Sequence, residues 1–209
     1  MSKPNLILIG AGGHARTCID VIEQEGIYKV AGLIGLPQEV GSKHFGYEVI
    51  ATDAQIPELV EQYQFALITI GQIHSAEHRI HLYSQAQAAG FTFPTVIAPT
   101  AYVSSHSTIG AGTIVMHGSI INAGAQVGNN CIINSNSLIE HDAHVKDHSH
   151  ISTGAILNGN TSIGTGSFIG SGTVIKEGVS IGANSLVGMG LMVRHNVDNN
   201  TKYLGLSTQ

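Results

Sequence analysis

Few of the 209 residues are charged. Asp, Glu, Lys and Arg together make up 11% of the sequence, whereas soluble domains typically carry about 25%. The nine Lys and Arg residues are outnumbered by fourteen Asp and Glu residues, which argues against a nucleic-acid-binding protein. No apolar run approaches the ~18 residues of a membrane span, which excludes a membrane protein. Hydrophobic residues still make up 43% of the chain, which excludes an intrinsically disordered protein.

Cysteine is also scarce. Cys18 and Cys131 are the two cysteines, and they lie more than a hundred residues apart, so no disulfide framework is predicted. The N-terminal residues MSKPNLILIGAGG lack the longer apolar region and the cleavage site of a signal peptide. We therefore expect a cytoplasmic protein.

The charges that are present are concentrated in the first half of the chain. Residues 1–96 contain fourteen of them and residues 97–193 contain six, with none between Ile97 and Ile139. A composition change of this kind, flanked by Pro94 and Pro99, indicates a domain boundary. We predict one domain over residues 1–96 and a second over residues 97–209.

A six-residue repeat runs through the second half without a break. Every sixth residue from Ile97 to Val193 is aliphatic, and the residue four places later is small in most repeats. This period is typical of a parallel β-helix with one short strand and one turn per repeat, in which residues eighteen apart stack at roughly the 4.7–4.9 Å strand spacing. Gly and Asn are frequent at the second and fourth positions of the repeat, which predicts a positive φ at both.

The residue before each inward aliphatic side chain falls into one of three outward rows, one for each face of the predicted prism. The first row and the second row are mostly apolar and the third is polar; they read Ile114, Ile132, His150, Phe168, Leu186; then Ile120, Leu138, Ile156, Val174, Met192; then Thr108, Gln126, His144, Ser162, Ser180. Two apolar faces suit a prism that contacts two neighbours around a threefold axis, so we predict a homotrimer.

The first domain alternates predicted strands and helices, which indicates an α/β fold with a small doubly wound parallel sheet. Strands are predicted at residues 5–9, 29–34, 47–50, 65–70 and 91–96, and helices up to residue 25 and at 54–63 and 75–89. The turn Gly10-Ala11-Gly12-Gly13-His14 exposes backbone N–H groups at a positive helix end, which suits a phosphate group. The motif lacks the third glycine of G-x-G-x-x-G, so a tight turn without a ligand fits the pattern equally well.

Six of the twelve histidines lie between His106 and His150. His141 occupies a turn position, and the carboxylate of Asp142 can accept a hydrogen bond from its ring and raise its basicity. His150 interrupts an apolar row, where an imidazole is costly unless it has a partner or a task. The alternative is that histidines are polar filler in exposed turns, and we prefer that interpretation for His106, His144, His148 and His195.

A metal site is the competing interpretation of the histidines. The β-helix carbonic anhydrases bind zinc through histidines of neighbouring coils, including a pair five residues apart, and no such pair occurs in the second half of this sequence. His144, His148 and His150 are the remaining zinc candidates, and we predict that no metal is bound. Cys131 falls at an inward position of the repeat, which predicts a core residue rather than a nucleophile.

The two halves together resemble the hexapeptide-repeat acyltransferases that N-acetylate UDP-linked 4-amino sugars and O-acetylate sialic acids. The resemblance covers nearly the whole chain, and it rests on the GAGGHA turn, the linker FPTVIAPTAYVS and the segments INSNSLIEHDAHVKDHSHISTGAILNGN and GSFIGSGTVI. It implies a left-handed β-helix, a trimer, acetyl-CoA as the donor and an active site between adjacent subunits.

The resemblance also implies catalytic roles for individual residues. His141 matches the general base of the family, and Asp142 matches the acidic residue that supports it. Gly159 matches the glycine whose backbone N–H holds the developing oxyanion. An asparagine of the active site is matched by Asn134.

Binding roles follow from the same resemblance. His150 matches the histidine near the thioester of acetyl-CoA, and Ser171 and Met189 fall where the backbone of the family meets the pantetheine arm. The turn that contacts the nucleotide is matched by Gly12, Gly13 and His14. The sequence departs from the family in two places. Many members carry two acidic residues after the second strand to hold the uridine, where this sequence has Leu33-Ile34-Gly35-Leu36. Members also commonly end in a G-x-P-A-K segment near the adenine of CoA, where this sequence has YLGLSTQ.

The predicted function is an acetyl-CoA-dependent N-acetyltransferase that acts on a UDP-linked 4-amino-dideoxy sugar by direct transfer. An alternative in the same class is O-acetylation of sialic acid or of a related sugar hydroxyl. An alternative from a different class is a non-catalytic trimeric scaffold that binds nucleotide sugars.

Overall fold

The computed structural model describes residues 2–205, so Met1 and residues 206–209, the outer ends of the two predicted domains, lie outside the described residues. The chain divides into two compact units. The first unit runs to Gly71 and resumes at Glu77–Pro99, and the second unit comprises Gln72–Ala76 and the chain from Thr100 onwards. Nothing in the sequence predicts that Gln72–Ala76 belongs with the second unit. No helix within residues 2–205 is long and apolar enough to cross a membrane.

The first unit is an α/β sheet. The strands of this sheet are β1 (Asn5–Ile9), β2 (Lys29–Gly35), β3 (Lys43–His44), β4 (Tyr47–Thr52) and β5 (Phe65–Ile68), and β6 (Val96–Ile97) does not join it. The helices are α1 (Gly13–Glu25), α2 (Ile56–Leu59) and α3 (Glu77–Ala89), with 3-10 turns at Pro37–Glu39 and Asp53–Gln55. The sheet order is β3-β4-β2-β1-β5, and every neighbouring pair is parallel except the β3–β4 hairpin. The predicted α/β class is therefore confirmed.

The sheet forms around β1, an interior strand that is apolar on both faces. Leu6 to Ile9 of β1 are fully buried, as expected for a parallel strand that is covered on each side. The predicted strand at residues 91–96 does not form: Thr92 makes a single bridge to Phe65, and Pro94 has no N–H to extend a ladder. The predicted helix at 54–63 is shorter than expected, since α2 ends at Leu59.

The second unit is a left-handed β-helix of two-residue strands. They are β7 (Tyr102–Val103), β8 (Thr108–Ile109), β9 (Ile114–Val115), β10 (Ile120–Ile121), β11 (Gln126–Val127), β12 (Ile132–Ile133), β13 (Leu138–Ile139), β14 (His144–Val145), β15 (His150–Ile151), β16 (Ile156–Leu157), β17 (Ser162–Ile163), β18 (Phe168–Ile169), β19 (Val174–Ile175), β20 (Ser180–Ile181), β21 (Leu186–Val187), β22 (Met192–Val193) and β23 (Lys202–Tyr203). Every third strand pairs in parallel, so the three sheets reproduce the three predicted rows. Each inward aliphatic residue is stacked eighteen residues from the next, as in Ile133↔Ile151.

The glycines of the repeat serve two different purposes. From Gly112 to Gly190, residues at the fourth position have positive φ whether they are glycine, as at Gly124 (+77°), or not, as at Asp142 (+58°). The prediction of positive φ at the second position is wrong, because Gly170 and its equivalents are not left-handed. Glycine is needed there for space: a methyl group on Gly170 would lie 2.5 Å from the Gly188 carbonyl carbon of the next coil.

The two apolar faces differ in exposure. Ile114 and Ile132 of the first row are 1% and 0% exposed within the single chain. These two residues are therefore already covered within the chain, whereas Phe168 and Leu186 of the same row stay partly exposed. The second row is open: Ile120 and Met192 are 39% and 63% exposed. One apolar face of the prism is therefore available to a neighbour.

Candidate active site

His141 lies in the turn between β13 and β14, beside Asp142. Its ring Nδ1 is 3.0 Å from Asp142 Oδ2, so Nδ1–H donates to the carboxylate and Nε2 keeps its lone pair. Gly124, one coil away, makes room for this carboxylate, because a methyl group on Gly124 would overlap Asp142 Oδ1. The turn therefore presents an imidazole with a fixed tautomer and a free acceptor nitrogen.

The surroundings of His141 increase its basicity. The hydrogen bond to Asp142 raises the pKa of His141, a loss of solvation partly opposes that rise, and the negative charges of Asp142 and Glu140 add to it. Both His141 and Asp142 are 66% exposed, so solvent screens part of the attraction. Glu140 is itself held in place, because its Oε2 accepts hydrogen bonds from His141 N–H (3.2 Å) and Asn122 Nδ2 (3.0 Å).

Gly159 lies against the His141 ring on the next coil. A methyl group on Gly159 would lie 2.6 Å from both Cε1 and Nε2 of His141. The Gly159 N–H donates to no acceptor in the described chain, so it can donate to a ligand. A groove of about 610 Å³ passes over both residues; it is lined by Glu140, His141, Asn158, Gly159, Asn160, Glu177 and Gly178. An acceptor nitrogen and a free N–H donor thus meet in one groove.

His150 lies on β15 and is 7% exposed. Its Nδ1 is 2.7 Å from the Gln72 carbonyl oxygen, so Nδ1–H donates there, and Nε2 then accepts from Asn134 Nδ2 at 3.2 Å. The Phe168 ring meets the imidazole edge-on, with 5.1 Å between centroids. The imidazole in the apolar row therefore has partners on both nitrogens, which removes the cost that its position implies.

Gln72 is a residue that sequence reasoning missed. Its side chain is 3% exposed, and its Nε2 donates to the Gly166 carbonyl oxygen at 2.9 Å. The contact to His150 spans 78 residues, and no motif in the sequence marks it. Gln72 fixes the tautomer of His150 through its own backbone carbonyl, and its side chain anchors that carbonyl.

The predicted residues of the β-helix form two groups on different edges of the prism. Asn134, Ser171 and Met189 follow strands of the first row, and His150 lies in that row. Ser171 Oγ is 2.9 Å from Ser152 Oγ, and Met189 is 79% exposed. His141, Asp142 and Gly159 follow strands of the second row instead. The second row therefore separates the two groups within one chain.

A second groove lies along the edge that follows the second row. It has a volume of about 420 Å³, and it is lined by Asn158, Val174, Lys176, Glu177, Met192, Val193, Arg194 and His195. The apolar side chains of Val174 and Met192 adjoin the cationic side chains of Lys176 and Arg194 in this groove. Such a lining suits a ligand with an apolar arm and phosphate groups.

The predicted phosphate turn is open. Helix α1 begins after Gly12, which has no side-chain cap, and its first turn carries no acidic residue. Methyl groups on Gly12 or Gly13 would meet none of the described atoms within 4 Å, whereas a methyl group on Gly10 would lie 2.5 Å from Ile70 Cγ1. His14 Cβ is 3.6 Å from the position of a methyl group on Gly71. The first N–H groups of α1 thus adjoin free space of the kind that an anion occupies.

His148 and Cys131, which were also considered as site residues, lie outside the His141 and His150 groups. Across residues 2–205, no three His, Cys, Asp or Glu side chains have the arrangement of a metal site. His148 Nδ1 is 3.0 Å from Asn130 Nδ2. Cys131 is buried in the core as predicted, and burial raises the pKa of the Cys18 thiol to about 12.

Comparison with protein families gives three matches. Residues 5–84 match the PglD N-terminal domain, residues 106–141 match the bacterial transferase hexapeptide (six repeats), and residues 160–194 match the hexapeptide repeat of succinyl-transferase. A search of curated proteins finds no match.

Solved structures match almost the entire chain. The acetyltransferase domain of PglB from Neisseria gonorrhoeae, solved with acetyl coenzyme A, is 28% identical with a TM-score of 0.87, and the match covers 96% of each chain. A variant of perosamine N-acetyltransferase from Caulobacter crescentus, solved with CoA and GDP-perosamine, is 30% identical with a TM-score of 0.87, over 94% of this chain and 92% of that one. WeeI from Acinetobacter baumannii shares the fold at 22% identity, with a TM-score of 0.82 over 94% and 95% of the two chains.

Proposed function

The chain belongs to the hexapeptide-repeat sugar acetyltransferases, and from that premise we propose that it N-acetylates the 4-amino group of a nucleotide-linked dideoxy sugar with acetyl-CoA as donor. One observation carries the proposal: the free acceptor nitrogen of His141 and the free N–H of Gly159 face the same groove. The solved relatives that hold acetyl-CoA, or CoA with GDP-perosamine, support the same pair of substrates.

The acceptor side of the reaction is a proton transfer to His141. The amine of the sugar attacks, and His141 Nε2 removes a proton from it while the Asp142 carboxylate stabilises the imidazolium. When bound, acetyl-CoA supplies the thioester carbonyl that receives the amine. The C–S bond breaks, and CoA leaves as a thiolate that takes the proton held by His141. Gly159 N–H donates to the carbonyl oxygen as it gains negative charge. In this proposal transfer is direct, and the burial of the Cys18 and Cys131 thiols argues against an acyl-enzyme on either cysteine.

The donor side lies along the other edge. We assign His150 and Asn134 to the thioester end of acetyl-CoA, and the hydrogen bond that His150 Nε2 accepts from the Asn134 amide supports a shared role. Ser171 and Met189 meet the pantetheine arm, and their exposure supports this role. The turn Gly12-Gly13-His14 receives the diphosphate of the acceptor. We place the protein in the cytoplasm, where acetyl-CoA and nucleotide sugars are made.

A homotrimer completes the site. The His141 edge and the His150 edge are separated by the second row within one chain, and that row carries exposed apolar side chains such as Met192. Packing around a threefold axis brings the His141 edge of one subunit against the His150 edge of the next. Light scattering at micromolar concentration is expected to give a trimer, and a monomer would contradict this arrangement.

Mixed trimers test the shared site directly. His141→Ala subunits and His150→Ala subunits are each expected to be nearly inactive as homotrimers. When the two are unfolded together and refolded at equal amounts, roughly a quarter of the interfaces combine an intact His141 edge with an intact His150 edge. The mixture should therefore recover about that fraction of wild-type activity. Absence of recovery from a trimeric mixture would place the whole site within one subunit.

The nucleotide has two candidates. The family resemblance of the sequence implies UDP, whereas the relative solved with GDP-perosamine favours GDP, and β2 ends in Gly35 without an acidic side chain. Thermal shift with UDP, GDP and CMP separates the candidates, because a ligand at a hundred times its Kd stabilises the fold by about 2.7 kcal/mol.

Release of the CoA thiol tests the activity itself. UDP-linked and GDP-linked 4-amino sugars are offered as acceptors beside free and CMP-linked sialic acid. N-acetylation predicts turnover with an amino sugar, and turnover with sialic acid alone would establish O-acetylation instead. Nucleotide-sugar binding without CoA release from any acceptor would favour the scaffold.

A further inference from the structure

Glycine at the end of β2 leaves a space that another residue fills. Gly35 is not in the left-handed region, so the backbone alone does not require glycine at this position. A methyl group on Gly35 would lie 2.8 Å from Glu39 Oε2, 3.0 Å from Ala11 Cβ and 3.1 Å from Val49 Cγ1. The carboxylate of Glu39 therefore occupies the place where a side chain of residue 35 would begin.

Glu39 is held there by its own turn. Its Oε2 accepts a hydrogen bond from Leu36 N–H at 2.8 Å, and its N–H donates to the Leu36 carbonyl oxygen at 2.8 Å. Pro37 opens this 3-10 turn with the φ angle that it requires. The second carboxylate oxygen, Oε1, bonds to no residue of the described chain, and the side chain is partly exposed.

The position of this carboxylate is that of a ligand group in a parallel α/β sheet. In the order β4-β2-β1-β5, the chain passes from β1 to β2 on one side and later crosses from β4 to β5 on the other side of β1. Ligands bind beyond the carboxyl ends of the strands beside such a point. Gly10 N–H donates to the Ile34 carbonyl oxygen at 2.8 Å, which joins the glycine turn to the end of β2. Glu39 and Ala11 both adjoin the space beside Gly35, so the carboxylate lies next to the glycine turn.

We propose that Glu39 Oε1 accepts hydrogen bonds from the ribose hydroxyls of the nucleotide sugar. The inference rests on the proposed function, which places the diphosphate at Gly12-Gly13-His14. A carboxylate is an acceptor without donors, so it repels the phosphates and fits the part of the nucleotide that carries hydroxyl donors. The acidic group that sequence inspection finds missing after β2 is thus supplied four residues later.

Titration calorimetry with ribose-modified ligands tests the proposal. The ligands are UDP and GDP and their 2′,3′-dideoxy counterparts, and the proteins are wild type, Glu39→Gln and Glu48→Gln. Glu48 is an exposed carboxylate on β4, so its variant carries the same change of charge away from Gly35. Glu39→Gln is expected to weaken binding of the better ribonucleotide about tenfold to a hundredfold, as for the loss of a hydrogen bond to a charged group. Glu48→Gln should leave binding unchanged.

The dideoxy ligands decide which part of the nucleotide is held. Wild type should bind them as weakly as Glu39→Gln does, and Glu39→Gln should no longer distinguish ribose from dideoxyribose. Unchanged binding by Glu39→Gln overturns the proposal, and so does an equal loss with both sugars, which would point to the base. KM for acetyl-CoA should stay at its wild-type value. Failure of wild type to bind any nucleotide would instead contradict the proposed function.

Discussion

The variant Gly159→Ala tests the proposed base by displacing its ring without removing it. The added methyl group would lie 2.6 Å from Cε1 and Nε2 of His141, far inside the ~3.5–4.0 Å at which carbon atoms pack, so the ring must move. Gly159 is not in the left-handed region, so alanine fits the backbone. The N–H that is proposed to hold the oxyanion remains in the variant. The substitution thus separates the position of the base from the presence of the N–H.

The size of the effect follows from the role assigned to His141. General-base catalysis contributes about 10²–10⁴ in rate, or about 2.7–5.4 kcal/mol at 1.36 kcal/mol for each factor of ten. If the displaced ring no longer reaches the amine, kcat of Gly159→Ala should fall by a factor in this range. The free energy of unfolding should change by no more than about 0.5 kcal/mol, as for an ordinary surface substitution.

The assay is kcat from release of the CoA thiol, measured in a double-mutant cycle with His141→Ala. The methyl group acts through the ring, so His141→Ala/Gly159→Ala should be no slower than His141→Ala alone. Losses that multiply would show that Gly159 acts independently of His141. Gly159→Ala at more than a third of wild-type activity would refute the reasoning.

Three further predictions follow from the same contacts. Asp142→Asn should lower the pKa of His141 towards 6.5. Because the base must be neutral, the acid limb of the kcat/KM profile should move to lower pH, and the plateau value of kcat/KM should fall. An acid limb that stays in place would contradict the assignment. His150→Ala should raise KM for acetyl-CoA and lower kcat, and an unchanged KM would argue against donor contact. In Gly164→Ala the added methyl group overlaps the Ala183 backbone, so the free energy of unfolding in urea should fall by about 1–3 kcal/mol. Gly154 has open space and φ +67°, so Gly154→Asn should lower it by under about 1 kcal/mol. Equal losses in the two variants would contradict the steric account.

The β-helix was predictable because its repeat fixes each environment by position. An aliphatic residue at every sixth place implies an inward ladder, and Ile133, Ile151 and Ile169 stack as that period requires. The same regularity gives a wrong prediction at the second position of the repeat, where glycine has an ordinary φ and leaves space for the backbone of the neighbouring coil. Sequence alone does not distinguish a glycine needed for its φ from one needed for space, because the contact lies eighteen residues away.

The candidate site was predictable only in part, for a similar reason. His141 and Asp142 are adjacent in sequence, so their hydrogen bond follows from local geometry. The contact between His150 and Gln72 does not follow from local geometry. Gln72 lies in a segment between β5 and α3 that belongs to the second unit, and no local sequence pattern predicts this contact. Glu39 was not predicted as a site residue, because its carboxylate reaches the end of β2 from four residues away, through a turn.

Stacking in steps of eighteen residues also determines how this chain tolerates changes in length. His141 and Gly159 are one coil apart, as are Ile132 and His150. A complete additional coil inserted after Val187 would lengthen the prism and leave both pairs intact. A single residue inserted between His141 and Gly159 would instead reverse the inward and outward faces of the next strand. Indels within this domain should therefore be tolerated as whole turns of the coil, so that a genetic screen for active insertions would recover multiples of one coil.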